Sequence, residues 1–308
     1  MKEVLVVYYS QTGQLFDILE QVTSTLQNEE VNITFHEILP ERSYRFPWKG
    51  PEFYDTFPES FLQIPEPLKE ASNEVLDRTY DLVILGYQVW FLTPSIPINS
   101  FLKTDVAKKL LNNTPVITII GCRNMWIMAQ EKMKRLLHEC GANLVGNIAL
   151  TDRNINHVSV ITIQHWLFGG KKTRYLGFFP KPGVSDEDIQ SASKFGLPIQ
   201  EALLQNSYGA LQDKLLTLDA VRIKPFLVTT DTRANILFSK WANLIIKKGG
   251  PKAPERQKWL VLFKYYLLFA IWVIAPIVFI VFLLTYIPRL KQIKEEKKYY
   301  SSVHTKEI

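Results

Sequence analysis

Three short stretches carry residues whose types and spacing could do chemistry. The first, Tyr8-Tyr9-Ser10-Gln11-Thr12-Gly13-Gln14, follows the apolar run Val4 to Val7 and leads into a helical pattern. A turn placed there offers backbone N–H groups, the positive end of a helix dipole and the hydroxyls of Ser10 and Thr12, which together can hold a phosphate without Lys or Arg. The second, Gln88-Val89-Trp90-Phe91-Leu92-Thr93-Pro94, presents two aromatic rings that either face a ligand or pack. The third, Gly121-Cys122-Arg123-Asn124-Met125-Trp126, offers backbone donors, an amide and a guanidinium that can stabilise a developing anion, although Arg123 also suits a solvated surface. His157 is the expected acid/base residue because imidazole titrates near neutrality; a structural histidine is the alternative. Cys122 and Cys140 form no C-x-x-C, and Cys122 has no His near it in sequence, so neither a thiol nucleophile, a zinc site nor a disulfide framework is expected. The five histidines have no metal-ligand spacing, and so few cysteines suit a reducing compartment.

The elements that must position these loops follow from periodicity. A helix is predicted from about Gln14 to Gln27, with Leu15, Ile18, Leu19, Val22 and Leu26 on one face. Val31 to Ile38 alternates as an edge strand does, whereas Asp81 to Tyr87, Pro115 to Gly121 and Leu144 to Leu150 are the denser apolar runs of buried strands. Helices are predicted around Asn99 to Leu111 and from about Met125 to Cys140. Five strands separated by helical segments, with no G-x-G-x-x-G after the first, predict an α/β fold: a doubly wound, five-stranded parallel sheet in the flavodoxin order 2-1-3-4-5. All three loops then lie at the carboxyl ends of strands, where ligands of such sheets bind. The long aromatic connection Pro40 to Pro67 is read as a border of a substrate cleft or a packed flap. Ser185 is an N-cap for a delayed last helix that reaches about Leu204 with a break near Pro198, so residues 151–182 are an insertion.

Apolar residues are evenly spread until about residue 258 and then concentrate. Tyr265 to Pro288 contains 24 residues without a charge, a helix of about 36 Å against a hydrocarbon core of about 30 Å. Trp259, Tyr265, Tyr266 and Tyr286 suit interfacial anchors. Lysines and arginines flank both ends, so the positive-inside rule gives no orientation, and Pro276 either kinks a spanning helix or marks the bend of a re-entrant one. Ile236, Leu237, Trp241, Leu244 and Ile245, among basic residues, suggest an amphipathic helix upstream. Much of the net charge of +6 flanks this block, which makes a membrane surface the expected partner and nucleic acid not. Met1-Lys2-Glu3 runs straight into the first strand without the apolar stretch of a signal peptide. The chain is divided into residues 1–207 (ligand-binding domain), 208–258 (amphipathic linker), 259–288 (transmembrane or re-entrant segment) and 289–308 (basic tail).

Ser-x-Thr-Gly after the first strand resembles the phosphate loop of flavodoxin-like oxidoreductases, with Leu15 where that family often has a further Thr. The resemblance implies FMN as cofactor. Its phosphate would lie at Ser10, Gln11, Thr12, Gly13 and Gln14; its ring would lie among Gln88, Val89, Trp90 and Phe91 and among Gly121, Cys122, Arg123, Asn124 and Trp126. Gly183-Val184-Ser185-Asp186-Glu187-Asp188, followed by Phe195-Gly196, resembles the last helix of flavodoxin-like quinone reductases. Over residues 1 to about 205, YYSQTGQ, GYQVWFLTPSIPINSFL and GCRNMWIMAQEK resemble the DarA-type proteins of dialkylresorcinol and flexirubin synthesis, often labelled condensing enzymes. That resemblance implies aromatisation of a long-chain dialkylcyclohexanedione by FMN. For such a reaction the residues present offer His157 as base and Arg123, Asn124 or Arg174 to hold the enolate. Two other functions stay open: an NAD(P)H:quinone reductase, with NAD(P)H as reductant, and a non-catalytic electron-transfer module tethered to a membrane partner. The expected substrate is an apolar or amphiphilic small molecule. The catalytic domain is expected on the cytoplasmic side of the cell membrane, where reductant is found, and a homo-oligomer stays open.

Overall fold

The computed structural model describes residues 1–305. Its strands are β1 (Lys2–Tyr8), β2 (Val31–Glu37), β3 (Leu82–Trp90), β4 (Thr93–Pro94), β5 (Pro115–Cys122) and β6 (Asn143–Thr151). Five are parallel in the order β2-β1-β3-β5-β6, the flavodoxin arrangement, and β4 pairs back on the end of β3. The sheet therefore holds six strands where the sequence suggests five. The additional strand is a two-residue return around Phe91 and Leu92, both at positive φ (49° and 64°), too short to leave a periodic signal.

The central strands are continuous apolar runs because helices cover both faces: Val4–Val7 and Leu82–Leu85 are fully buried. Helix α1 (Gln14–Ser24) lays Leu15, Ile18, Leu19 and Val22 on the sheet. It comes so close that a Cβ on Gly86 would lie 2.7 Å from Leu19 Cδ1. The helix expected over 99–111 is two, Ile96–Leu102 and Asp105–Leu111, because Thr104 caps the second by accepting from the Ala107 N–H (3.1 Å). Helix α2 (Ile127–Glu139) follows β5, and the insertion contributes α3 (Asn156–Gly169). The delayed last helix starts at the Ser185 cap but divides into Asp186–Gln190, a 3-10 turn and Gly196–Gln205. Pro198 lies in the first turn of the last piece, where no N–H is required.

Beyond the sheet, α4 (Pro225–Ile246) runs antiparallel to a long apolar helix made of α5 (Pro254–Phe269), a π-helical turn (Ala270–Ile274) and α6 (Ala275–Thr285); α7 (Leu290–Tyr300) follows. Helices α4 and α5 and the short helix Phe57–Phe61 build a second core, in which Phe57 stacks on Phe263 at 3.9 Å and 8°. Arg256 is its polar tie. Fully buried, it donates from Nε to Asp55 Oδ1 (2.8 Å) and from Nη1 to Glu59 Oε1 (2.6 Å). Arg256→Ala would leave two carboxylates buried without their cation and should cost about 3–5 kcal/mol of folding stability, read as a lowered denaturant midpoint in detergent.

Candidate functional site

A cavity of about 370 Å³ opens where β1, β3 and β5 end. Its polar end lies at the start of α1. Gly13, at φ +83°, is the N-cap residue and brings no side-chain cap, and a Cβ there would meet nothing within 4 Å. The Ser10 hydroxyl accepts from the Phe16 N–H (3.4 Å). The positive end of the helix is thus left open toward the cavity, which Gln11 and Thr12 line; Ser10 and Gly13 shape the turn without lining it. Leu15 supplies methyl groups to the same wall.

Gln14 lines the cavity, yet its side chain is committed elsewhere. Its amide donates to the Val184 carbonyl (3.2 Å) and accepts from the Val184 N–H (3.1 Å), so it clamps the loop before the last helix onto α1. The expectation that Gln14 contacts a phosphate is corrected to that extent: only its backbone remains for an anion.

Gln88, Val89, Trp90 and Phe91 line the next wall. Trp90 meets Tyr9, Tyr44 and Trp48 edge-on, with ring centroids at 6.0, 5.0 and 5.5 Å. The Trp48 Nε1–H donates to Gln11 Oε1 (3.0 Å), which joins the aromatic flap to the first loop. Gly121, Cys122, Arg123 and Asn124 complete the site from β5. Arg123 Nη1 and Asn124 Nδ2 both donate to Asn156 Oδ1 (2.9 Å each), while the buried Asn124 Oδ1 has no partner. Burial lowers the Arg123 guanidinium to about 10, with the Asp152 charge opposing that shift; it remains a cation at neutral pH. Burial pushes the Cys122 thiol up, so it stays protonated there. Among the described residues that line the cavity, Arg123 is the one ionised side chain.

Three expected site residues lie elsewhere. Trp126 is 2% exposed and belongs to the sheet's core, because the chain turns inward as α2 begins. Arg174 is exposed and outside the lining. His157 is not among the lining residues: its Nε2 lies 3.1 Å from the Ile271 carbonyl and its ring 5.2 Å from that of Trp272. A carbonyl can only accept, so Nε2 carries the proton, and the side chain pins α3 to the apolar helix. Pro276, one turn on, has no N–H to return to that part of the helix. The expected base is thereby corrected to a structural donor.

Several lining residues were not named as site residues. Trp48 and Phe53 come from the aromatic connection, Gln164 and Trp166 from α3, and Tyr266, Leu267, Ala270 and Ile271 from the apolar helix. The last group is the least expected, since the pattern that reads as membrane-spanning also forms a wall of the site.

No family model matches the chain, and no curated protein matches it in sequence. Among solved structures, it is similar to a flavoprotein in complex with FMN from Lactobacillus acidophilus NCFM (17% identity, 48% of this chain and 92% of that one, TM-score 0.36). It is also similar to a putative flavoprotein from Bacteroides eggerthii DSM 20697 (16% identity, 56% and 100%, TM-score 0.39). A third is a flavodoxin from the domain Archaea (13% identity, 66% and 99%, TM-score 0.37).

Gln14→Ala would leave the N–H and carbonyl of Val184 unpaired in the interior. It should cost about 2–3 kcal/mol of stability, measured by denaturation of the purified protein.

Proposed function

We propose that the protein is an FMN-dependent oxidoreductase working at a membrane surface, and that it aromatises an amphiphilic ring dione, a dialkylcyclohexane-1,3-dione, to a dialkylresorcinol. The observation that supports this reading is the make-up of the cavity at the sheet's carboxyl edge: a helix start whose N-cap residue brings no side chain at one end, a single cation just past β5, and a mostly apolar wall contributed by α4 and the apolar helix.

The residues fit FMN. The open start of α1 suits a phosphate, the Trp90 and Phe91 loop suits a planar ring, and the unpartnered Asn124 Oδ1 suits an imide N–H. When bound, FMN supplies a two-electron acceptor. The dione would give up one hydride and one proton, and its ring would become aromatic. A 1,3-dione is a vinylogous acid that ionises without a strong base, and the lining contains no carboxylate or imidazole to act as one. The role left to Arg123 is to hold the enolate; Asn156, by accepting from Arg123 and Asn124 together, keeps both donors aimed. Leu237, Phe238, Tyr266 and Leu267 would cover the alkyl chains and exclude water.

Anaerobic mixing of the FMN-loaded protein with a 2,5-dialkylcyclohexane-1,3-dione should bleach the flavin and yield a resorcinol detected by its near-ultraviolet absorbance. Bleaching by NAD(P)H with reoxidation by a quinone, and no resorcinol, would identify a quinone reductase; no turnover with either would identify an electron carrier. Gly13→Val should abolish retention of FMN through gel filtration. Arg123→Gln should retain FMN and slow aromatisation about 10²–10³-fold, the usual effect of removing one donor to an oxyanion.

A further inference from the structure

We infer that the apolar helix attaches the protein to one leaflet of an anionic bilayer without crossing it, so that the chain before and after the helix lies on the same side. The inference rests on the membrane part of the proposed function and is independent of the flavin chemistry.

The helix from Pro254 to Thr285 is long and apolar enough to span, with a mean hydropathy of 3.1 in its most apolar stretch. Only 6% of that stretch is buried, so it is not the core helix of a soluble domain. Yet it is held at its start, its middle and toward its end. At its start Arg256 is enclosed by Asp55 and Glu59, and the Lys252 N–H donates to Asp55 Oδ2 (2.9 Å). At its middle Ile271 accepts from His157, and Ala270 and Ile271 face the cavity that contains Arg123 and Asn124. Toward its end Phe279 and Phe282 pack on Phe226, with ring centroids at 4.9 and 5.7 Å. Helix α4, which carries Phe226, is itself locked to the domain: its buried Asp231 accepts from the Met128 N–H at the start of α2 (3.2 Å).

The chain beyond the helix returns to the same domain. Tyr299 donates its hydroxyl to Glu131 Oε2 (2.6 Å), and the Ser301 carbonyl accepts from Gln212 Nε2 (2.9 Å). A spanning helix would set Arg256 and Tyr299 on opposite sides of about 30 Å of hydrocarbon and would carry the polar cavity to the bilayer's centre. Neither is compatible with these contacts.

What remains free is a broad apolar face. Within it Phe269, Val273, Ile277, Ile280, Leu284 and Ile287 recur at steps of three and four residues, each at least 43% exposed, and Trp272, Val281 and Leu283 beside them are exposed as well. The face is bracketed by the exposed Lys258 and Lys264 before it and Lys291 and Lys294 after it. An apolar stripe with lysines at both ends matches acyl chains beneath anionic headgroups, and that charge pattern selects a lipid leaflet over a second copy of this equally basic chain. Because the opposite face of the same helix lines the cavity, an amphiphile would pass from the leaflet to the site without crossing water.

The test uses the full chain loaded with FMN. It should float with vesicles containing phosphatidylglycerol, less with phosphatidylcholine alone, and less at high salt. Ile280→Glu combined with Leu284→Glu should weaken flotation about a hundredfold, as expected for two aliphatic side chains left unburied, while bound FMN stays unchanged. In cells, Lys258→Cys and Lys298→Cys should be labelled by an impermeant maleimide from the same side. Labelling from opposite sides would overturn the inference and identify a spanning helix. Flotation unaffected by the paired substitution would overturn it too, as would a dimer that this substitution dissociates in the absence of vesicles. Loss of FMN with flotation intact would refute the flavin reading alone.

Discussion

A guanidinium buried without exposure must be paired, and the pairing of Arg256 with Asp55 and Glu59 fixes most of what is particular to this molecule. The two carboxylates belong to the aromatic connection between β2 and β3, and the arginine to the first turn of the apolar helix. Joining them places Phe263 on Phe57, brings α4 and α5 side by side, and sets the middle of the apolar helix over the carboxyl edge of the sheet. Without that tie, a helix that is apolar on all sides would have no reason to lie at one angle on the domain. With it, the cavity gains a wall.

The same constraint explains the division of labour within the site. The sheet side brings the polar groups and most of the aromatic rings, positioned by short-range rules: strand ends, a glycine at positive φ, and a hairpin return of two residues. The helix side is mostly apolar and positioned by long-range packing. His157 stands between the two. Sequence arguments weigh a histidine by its titration range, whereas here a carbonyl on a proline-interrupted helix decides what the side chain does.

The sheet order and the three loops were legible because buried parallel strands leave uninterrupted apolar runs, and a ligand loop must follow each run directly. Side-chain direction was not. Gln14 and Trp126 lie within loops read correctly as loops, but one side chain turns to Val184 and the other into the core, and both choices depend on elements far away in sequence. The strand Thr93–Pro94 is shorter than any periodicity can register. For Pro254–Thr285, composition measures how apolar a helix is, not how many of its faces are already occupied, so the sequence left a span and a re-entrant segment both open.

The electrostatics of the cavity bear on what it can select. Arg123 sits in a lining otherwise free of charge, with Asn156 accepting from it. A neutral ligand placed against such a group displaces water from the cation and returns no opposite charge, which leaves its desolvation largely uncompensated. An anionic ring returns that charge through hydrogen bonds strengthened by a low local dielectric. The discrimination therefore favours an ionised ring over a neutral one of the same size. The apolar wall adds affinity for both alike, since burial of alkyl carbon does not depend on the charge of the ring that bears it.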